Sequence, residues 1–269
     1  MDQSPRFAEQ LQQFWNRYHS ALTSAARTCE TIKSEAQKVL GSAHIGFGRF
    51  DAYDASRSLD QTAESLVTNL LSHAERAFAA PGASLSIERY LWRDAIDRHG
   101  RTANMDLPAL WAELAQRYGG DAGRKASYRQ TAQTLVDAFA LMRHREIRRR
   151  RNGIELSTTI YTEYGYGPAK GQRTLTYHSI QQLKEVCQAL KAVLVDAEAE
   201  AADIHAWDTL STSMYDLFRS PFTSRTKHKA AGIELTFFFE KVTFLVEEPL
   251  ATHLQLFIAE HGQLTDQAA

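Results

Sequence analysis

Thiols are nearly absent: Cys29 and Cys187 are the only two cysteines in 269 residues. Both lie in helix-like surroundings, which suits reduced, buried thiols better than a disulfide framework. No Cys-x-x-Cys occurs, and none of the ten histidines stands four residues from another with a carboxylate partner, so no structural zinc site is expected. No run of 18 apolar residues is found, and the first residues lack the basic-then-apolar pattern of an export signal. A cytoplasmic protein with no membrane span is the expectation. Neither charge dominates, with 31 basic against 32 acidic residues, which rules out a histone-like polycation. Any contact with a polyanion must come from a local patch.

Nucleotide and nucleophile signatures are missing too. The loop from Gly165 to Gly171 carries Lys170 but lacks the Gly-Lys-Ser/Thr ending of a phosphate-cradling loop, and a strand follows it where a helix is required. Gly46-Phe47-Gly48 lacks the third glycine and preceding strand of a dinucleotide fingerprint, and no nucleophile elbow occurs. No cofactor is implied.

What is present begins with a long amphipathic helix. From Phe7 to Leu40 the apolar positions Leu11, Trp15, Leu22, Ala26, Cys29 and Ile32 follow the 3.6-residue period. Trp15, Leu22 and Cys29 are expected in the core, with Leu66 of a second helix over Ser58 to Ala79. Ser86 to His99 and Asp106 to Tyr118 read as further helices, the latter capped by Asp106 with Pro108 in its first turn. The helix from about Ser127 carries Leu135, Val136, Phe139, Met142 and Ile147 inward and is expected to run on through Arg151.

There the period changes. Ile154 to Tyr164 and Arg173 to His178 alternate near period two and read as a hairpin; Gly232 to Val246 reads as a second. Ser179 to Val195, Ala206 to Phe218 and Leu250 to Glu260 are helical in pattern. The expected class is α+β: a helical region over 1–120, then an α+β region over 121–269, in which a small antiparallel sheet of two hairpins packs with flanking helices.

The feature that stands out is charge density. Residues 143–151 hold six arginines and one histidine, followed by Asn152-Gly153. A guanidinium presents a planar donor fork to phosphate and stays charged. The candidate binding residues are Arg143, Arg145, Arg148, Arg149, Arg150 and Arg151, a projecting helix end assisted by Lys170 and Arg173 of the first hairpin. A second basic run adds Arg225, Lys227 and Lys229, interleaved with hydroxyls. Two readings stand side by side: a nucleic-acid backbone site, or a helix end complemented by the dipole and by the acidic stretch Asp196 to Asp203. A third looks to Glu234, Glu240 and Lys241 as a metal-dependent nuclease set, with alternation placing the two glutamates on one face.

Three strings, Arg17-Tyr18-His19-Ser20-Ala21-Leu22, His44-Ile45-Gly46-Phe47-Gly48-Arg49-Phe50 and Phe238-Phe239-Glu240-Lys241-Val242-Thr243-Phe244 before Pro249-Leu250, give the chain a resemblance to a family. It resembles an uncharacterised domain carried on prophages, plasmids and integrative elements, at times in one polypeptide with an adenine methyltransferase. The methyltransferase string Asn/Asp-Pro-Pro-Tyr is absent, and Glu240-Lys241 replaces the family's Gly-Asn turn. The resemblance implies a mobile-element or phage-conflict setting and transfers no catalytic residue. The expected function is therefore a non-enzymatic, nucleic-acid-associated accessory protein, with an acidic protein partner or a metal-dependent nuclease activity as alternatives.

Overall fold

The computed structural model describes residues 4–40, 52–141, 148–164 and 171–262. The chain divides into two compact units: residues up to Phe78 with Ser86–Ala122, and Ala79–Leu85 with Gly123 onward. Among the described residues no helix is long and apolar enough to cross a membrane.

The first unit is helical. α1 (Ser4–Leu40) packs on α2 (Ala52–Phe78) and α4 (Leu107–Tyr118), with α3 (Arg93–His99) between short 3-10 turns. Leu59, Ala63, Leu66, Val67, Leu70, Leu71 and Ala74 of α2 recur at three- and four-residue steps and are buried with Leu107, Leu110, Trp111 and Leu114. Gln12 ties α1 to the start of α4: its Oε1 accepts from the Leu107 N–H at 2.9 Å and its Nε2 donates to the Met105 carbonyl at 3.1 Å. Asp106 caps α4, its side chain accepting from the Ala109 N–H at 3.0 Å. Trp15 and Leu66 are buried as expected, whereas Leu22 and Cys29 are only half-buried. At 37 residues α1 is about 55 Å long, far beyond the roughly 18 Å of the 12-residue α4. Past Ala26 its apolar stripe has less to pack against, and Val39 is 82% exposed.

The second unit is built on a five-stranded antiparallel sheet. Its strands are β1 (Arg148–Arg150), β2 (Gly153–Thr159), β6 (Thr226–Ala230), β7 (Ile233–Phe237) and β8 (Lys241–Glu247), in the order β1-β2-β8-β7-β6. Alternation puts Ile154 and Leu156, Ile233 and Leu235, and Val242, Phe244 and Val246 on one face, all buried. Against them pack α5 (Asp121–Ala138), α6 (Tyr177–Asp196), Trp207 of α7 (Ala201–Arg219) and α8 (Leu250–His261). A second sheet joins β3 (Thr162–Glu163), β4 (Gln172–Leu175) and β5 (Phe222–Thr223). The α+β class is thus as expected.

The strand pairing differs from the expectation in two places. β2 does not pair with β4; only Thr162 and Glu163 meet Leu175 and Thr174. β2 instead runs against β8 from Gly153↔Glu247 to Thr159↔Lys241, because its alternating apolar side chains need the helix-covered face. Gly153 is required there: a Cβ on it would run into the carbonyl oxygen of Val246. In addition Thr226–Ala230, a basic run outside both expected hairpins, is a strand joined to β7 through Ala231 and Gly232, both left-handed at φ 51° and 70°.

Candidate functional site

The described arginines, Arg148 to Arg151, do not continue a helix. α5 stops at Ala138, and Ala140 takes a left-handed φ of 50°. The Leu141 N–H donates to the Val136 carbonyl at 2.9 Å and the Ala140 N–H to the Asp137 carbonyl at 3.1 Å. Those two bonds form a Schellman stop, with alanine where glycine is usual. The expected arginine-rich helix end is therefore corrected to a β-hairpin. Arg148, Arg149 and Arg150 form an edge strand, and Arg151 with Asn152 makes the two-residue tip before Arg150 pairs with Gly153. Arg143, Arg145 and Lys170 lie outside the described residues.

β1 places alternate arginines on opposite faces. Arg148 and Arg150 share the uncovered face with Glu155, at 3.4 Å and 2.7 Å respectively. Partial burial pushes the Glu155 carboxyl up, but Arg150 and then Arg148 outweigh it and hold the group below its ordinary range. Arg149 and Arg151 are exposed and have no ion-pair partner among the described residues. The hairpin thus presents four guanidinium groups against one carboxylate, and among the described residues none of the four pairs with the stretch Asp196 to Asp203. Asp196 contacts His253 at 3.0 Å.

The opposite edge is basic but compensated. Lys227 pairs with Glu234 at 2.7 Å and Lys229 with Glu247 at 2.6 Å, all on the uncovered face. Hydrogen bonding to Glu247 holds the Lys229 ammonium above its usual range. Burial pushes His228 down, which takes it out of the cationic set at neutral pH. Arg225 sits exposed in the turn before β6 with φ 72°. Between the edges the uncovered face carries Ser157, Thr243 and Thr236 in one row. Arg148 and Lys229 end a single cross-strand row through Glu155, Leu245 and Glu234, four strand spacings or about 19 Å apart.

Arg173 serves a different role. Its guanidinium lies over the rings of Tyr164 and Phe239, at 4.8 Å and 4.7 Å, and donates to Thr162 Oγ1 and the Tyr164 hydroxyl. A cation so held braces the small sheet, with part of its donor capacity already engaged. Nor does the sheet assemble the nuclease set. Glu234 pairs across from Leu245, four residues along β8 from Lys241, so the two are separated by about 13 Å of strand. Glu240 is in the turn between β7 and β8. Among the described residues no group of three or more histidine, cysteine or acidic side chains is placed to hold a metal ion.

A second constellation was not anticipated. A cavity of about 520 Å³ lies between the end of α5, the end of β2 and the first half of α6, entirely in the second unit. Tyr161 and His178 line it with their ring centroids 6.5 Å apart. Asp137, Gln181, Gln182 and Glu185 supply its polar groups. The histidine and tyrosine are far apart in sequence, and no short motif joins them. The role of Glu155 was not legible either: the turn signal Asn152-Gly153 would set it opposite Arg150, whereas the observed loop Arg151-Asn152 sets it opposite Arg148.

Comparison of the chain with protein-family models, with curated proteins and with solved structures yields no match.

Proposed function

We propose that this chain binds nucleic-acid backbone through the Arg148–Arg151 hairpin, as an accessory protein without strong base readout. The observation that carries the reading is the imbalance at the hairpin, where Arg149 and Arg151 have no ion-pair partner among the described residues and Arg148 and Arg150 share one carboxylate. Phosphates supply the acceptors that four clustered donor forks lack. Lys227 and Lys229, paired with carboxylates, are secondary, and Arg143, Arg145 and Lys170 extend the same proposal along the chain. A mobile-element or phage-conflict setting, implied by the resemblance, is part of it.

The test is binding of duplex and single-stranded DNA and of RNA across a salt series. Each phosphate contact contributes about −0.9 to the slope of log affinity against log salt on duplex DNA. Replacing Arg148, Arg149, Arg150 and Arg151 with glutamine is expected to weaken binding on all sequences alike and to flatten the slope by about two to four units. A folded quadruple variant with unchanged affinity and slope sinks the reading.

An acidic protein partner is favoured by one specific feature: β1 is an edge strand, with no strand pairing its outer side among the described residues. If wild type binds no nucleic acid at low salt, yet the quadruple variant loses a protein in pull-down, this second reading replaces the first.

A further inference from the structure

We propose that the cavity between α5 and α6 takes a single unstacked nucleobase of the bound strand, selecting bases that carry an N–H donor edge, guanine foremost. This deepens the backbone-binding reading and rests on it.

The cavity's chemistry excludes most other ligands. It holds no lysine or arginine, while Asp137 and Glu185 line it, so a phosphate or carboxylate would meet like charge. Its two carboxylates accept only, and they are the groups that most strongly favour a ligand edge of N–H donors. Asp137 accepts one hydrogen bond, from Gln133 Nε2 at 2.9 Å onto Oδ1, which leaves Oδ2 for a ligand. Glu185 and Gln181 have no partner among the described residues, whereas Gln182 is fixed, its Nε2 donating to Thr158 Oγ1 at 2.9 Å. A carboxylate accepts from paired N–H groups on one edge, and guanine offers N1–H beside its exocyclic amine. Cytosine offers its amino group alone, and thymine or uracil one imino proton flanked by carbonyls that a carboxylate repels.

Shape agrees with a flat ring. The Tyr161 and His178 rings are tilted by 42° with centroids 6.5 Å apart, close to two stacking intervals of about 3.4 Å, so a base placed between them would need the two rings to turn parallel. Both are exposed: Tyr161 is 61% exposed, and its backbone N–H donates to Ser179 Oγ at 2.7 Å. Aromatic stacking of single-stranded bases supplies affinity without a charged partner. The reach is compatible with one strand touching both places. From Gly153 at the hairpin to Tyr161 is about 26 Å along β2, several nucleotides of extended single strand.

The experiment uses the full chain and calorimetric titration with guanosine, cytidine, uridine and spermidine, then with a 15-nucleotide oligo(dT) and the same strand carrying one central dG. Guanosine is expected to bind ahead of cytidine, and uridine weakest. The single dG should raise affinity over oligo(dT). Tyr161→Ala should weaken guanosine by about five- to a hundredfold, the loss of one base stack. Asp137→Asn, which keeps shape, should erase the preference for guanosine over uridine. Because nucleosides carry no phosphate, their binding should be unchanged by salt and by the quadruple arginine-to-glutamine variant. No guanosine binding at millimolar concentration, uridine equal to guanosine, a silent Tyr161→Ala, spermidine displacing guanosine at equal concentration, or no gain from the single dG would each overturn the proposal. Salt-dependent oligonucleotide binding that persists through such a failure leaves the hairpin reading standing. Guanosine binding without that salt dependence removes the hairpin reading alone.

Discussion

At the scale of single residues, Glu155 sets how much charge the hairpin offers. Its folded-state carboxyl is held below the ordinary range, so its contribution to stability is present above the unfolded value and is lost as pH falls through the folded one. Glu155→Gln is expected to lower the urea midpoint modestly at neutral pH, with the gap to wild type closing as the solution is acidified below the usual carboxylate range. A gap that stays constant with pH would mean that the Arg148 and Arg150 pairs contribute nothing through charge. The same substitution frees both guanidiniums, so nucleic-acid affinity should rise at low salt. Arg173 behaves oppositely. Because its guanidinium is held over Tyr164 and Phe239, Arg173→Gln should loosen the small sheet yet leave the salt slope of binding unchanged. A flattened slope in that variant would return Arg173 to the binding surface.

At the scale of elements, the end of α5 decides where the arginines go. Left-handed alanine costs about 1–2 kcal/mol, of which glycine would recover part after its larger loss of chain entropy. Ala140→Gly should therefore raise stability by up to about 1 kcal/mol, whereas Ala140→Val should lower it by about 1–2 kcal/mol. If Ala140→Gly instead destabilises by about 1 kcal/mol, as glycine does inside a helix, then α5 continues toward the arginines. α6 ends in the same way, with Glu198 at φ 53° and the Ala199 N–H donating to the Leu194 carbonyl at 3.0 Å. Strand register is equally specific. Gly153→Ala forces backbone apart at the β2–β8 pairing and should cost about 1–3 kcal/mol in chemical denaturation; no measurable loss would mean that β2 and β8 are not in this register.

At the scale of the whole molecule, stability rests on the helix-covered face of the large sheet, whereas the proposed binding hairpin lies at its edge. Phe244 is fully buried on the helix-covered face and packs edge-on against Phe139 at 5.3 Å. Phe244→Ala should cost about 3–5 kcal/mol of stability, while below its lowered melting temperature it should leave nucleic-acid affinity intact. A variant that is folded but no longer binds would tie the core to the site. With a formal charge of −1 overall, the chain exerts no long-range attraction on a polyanion. The salt slope should therefore count contacts at the hairpin and stay within about four units.

Helices were largely legible because their hydrogen bonds are local. The apolar steps of α2, the Asp106 cap of α4 and the last helix from Leu250 are written in residues three and four apart, and those elements formed where their patterns put them. β2, β7 and β8 announced themselves through alternation, whereas the basic strands β1 and β6 did not, and alternation does not name a partner. β2 meets β8 some 85 residues away, and that choice belongs to the shared burial of Ile154, Leu156, Phe244 and Val246 under the helices. The sequence determined by itself that six arginines crowd into nine residues of a nearly neutral chain. Tertiary structure alone decided that Arg148 to Arg151 lie on an edge hairpin, since a Schellman stop at alanine carries no glycine to announce it. It alone decided, too, that Glu155 neutralises part of the charge and that Tyr161 and His178 line one cavity, because side chains on separate elements meet only when the core brings those elements together.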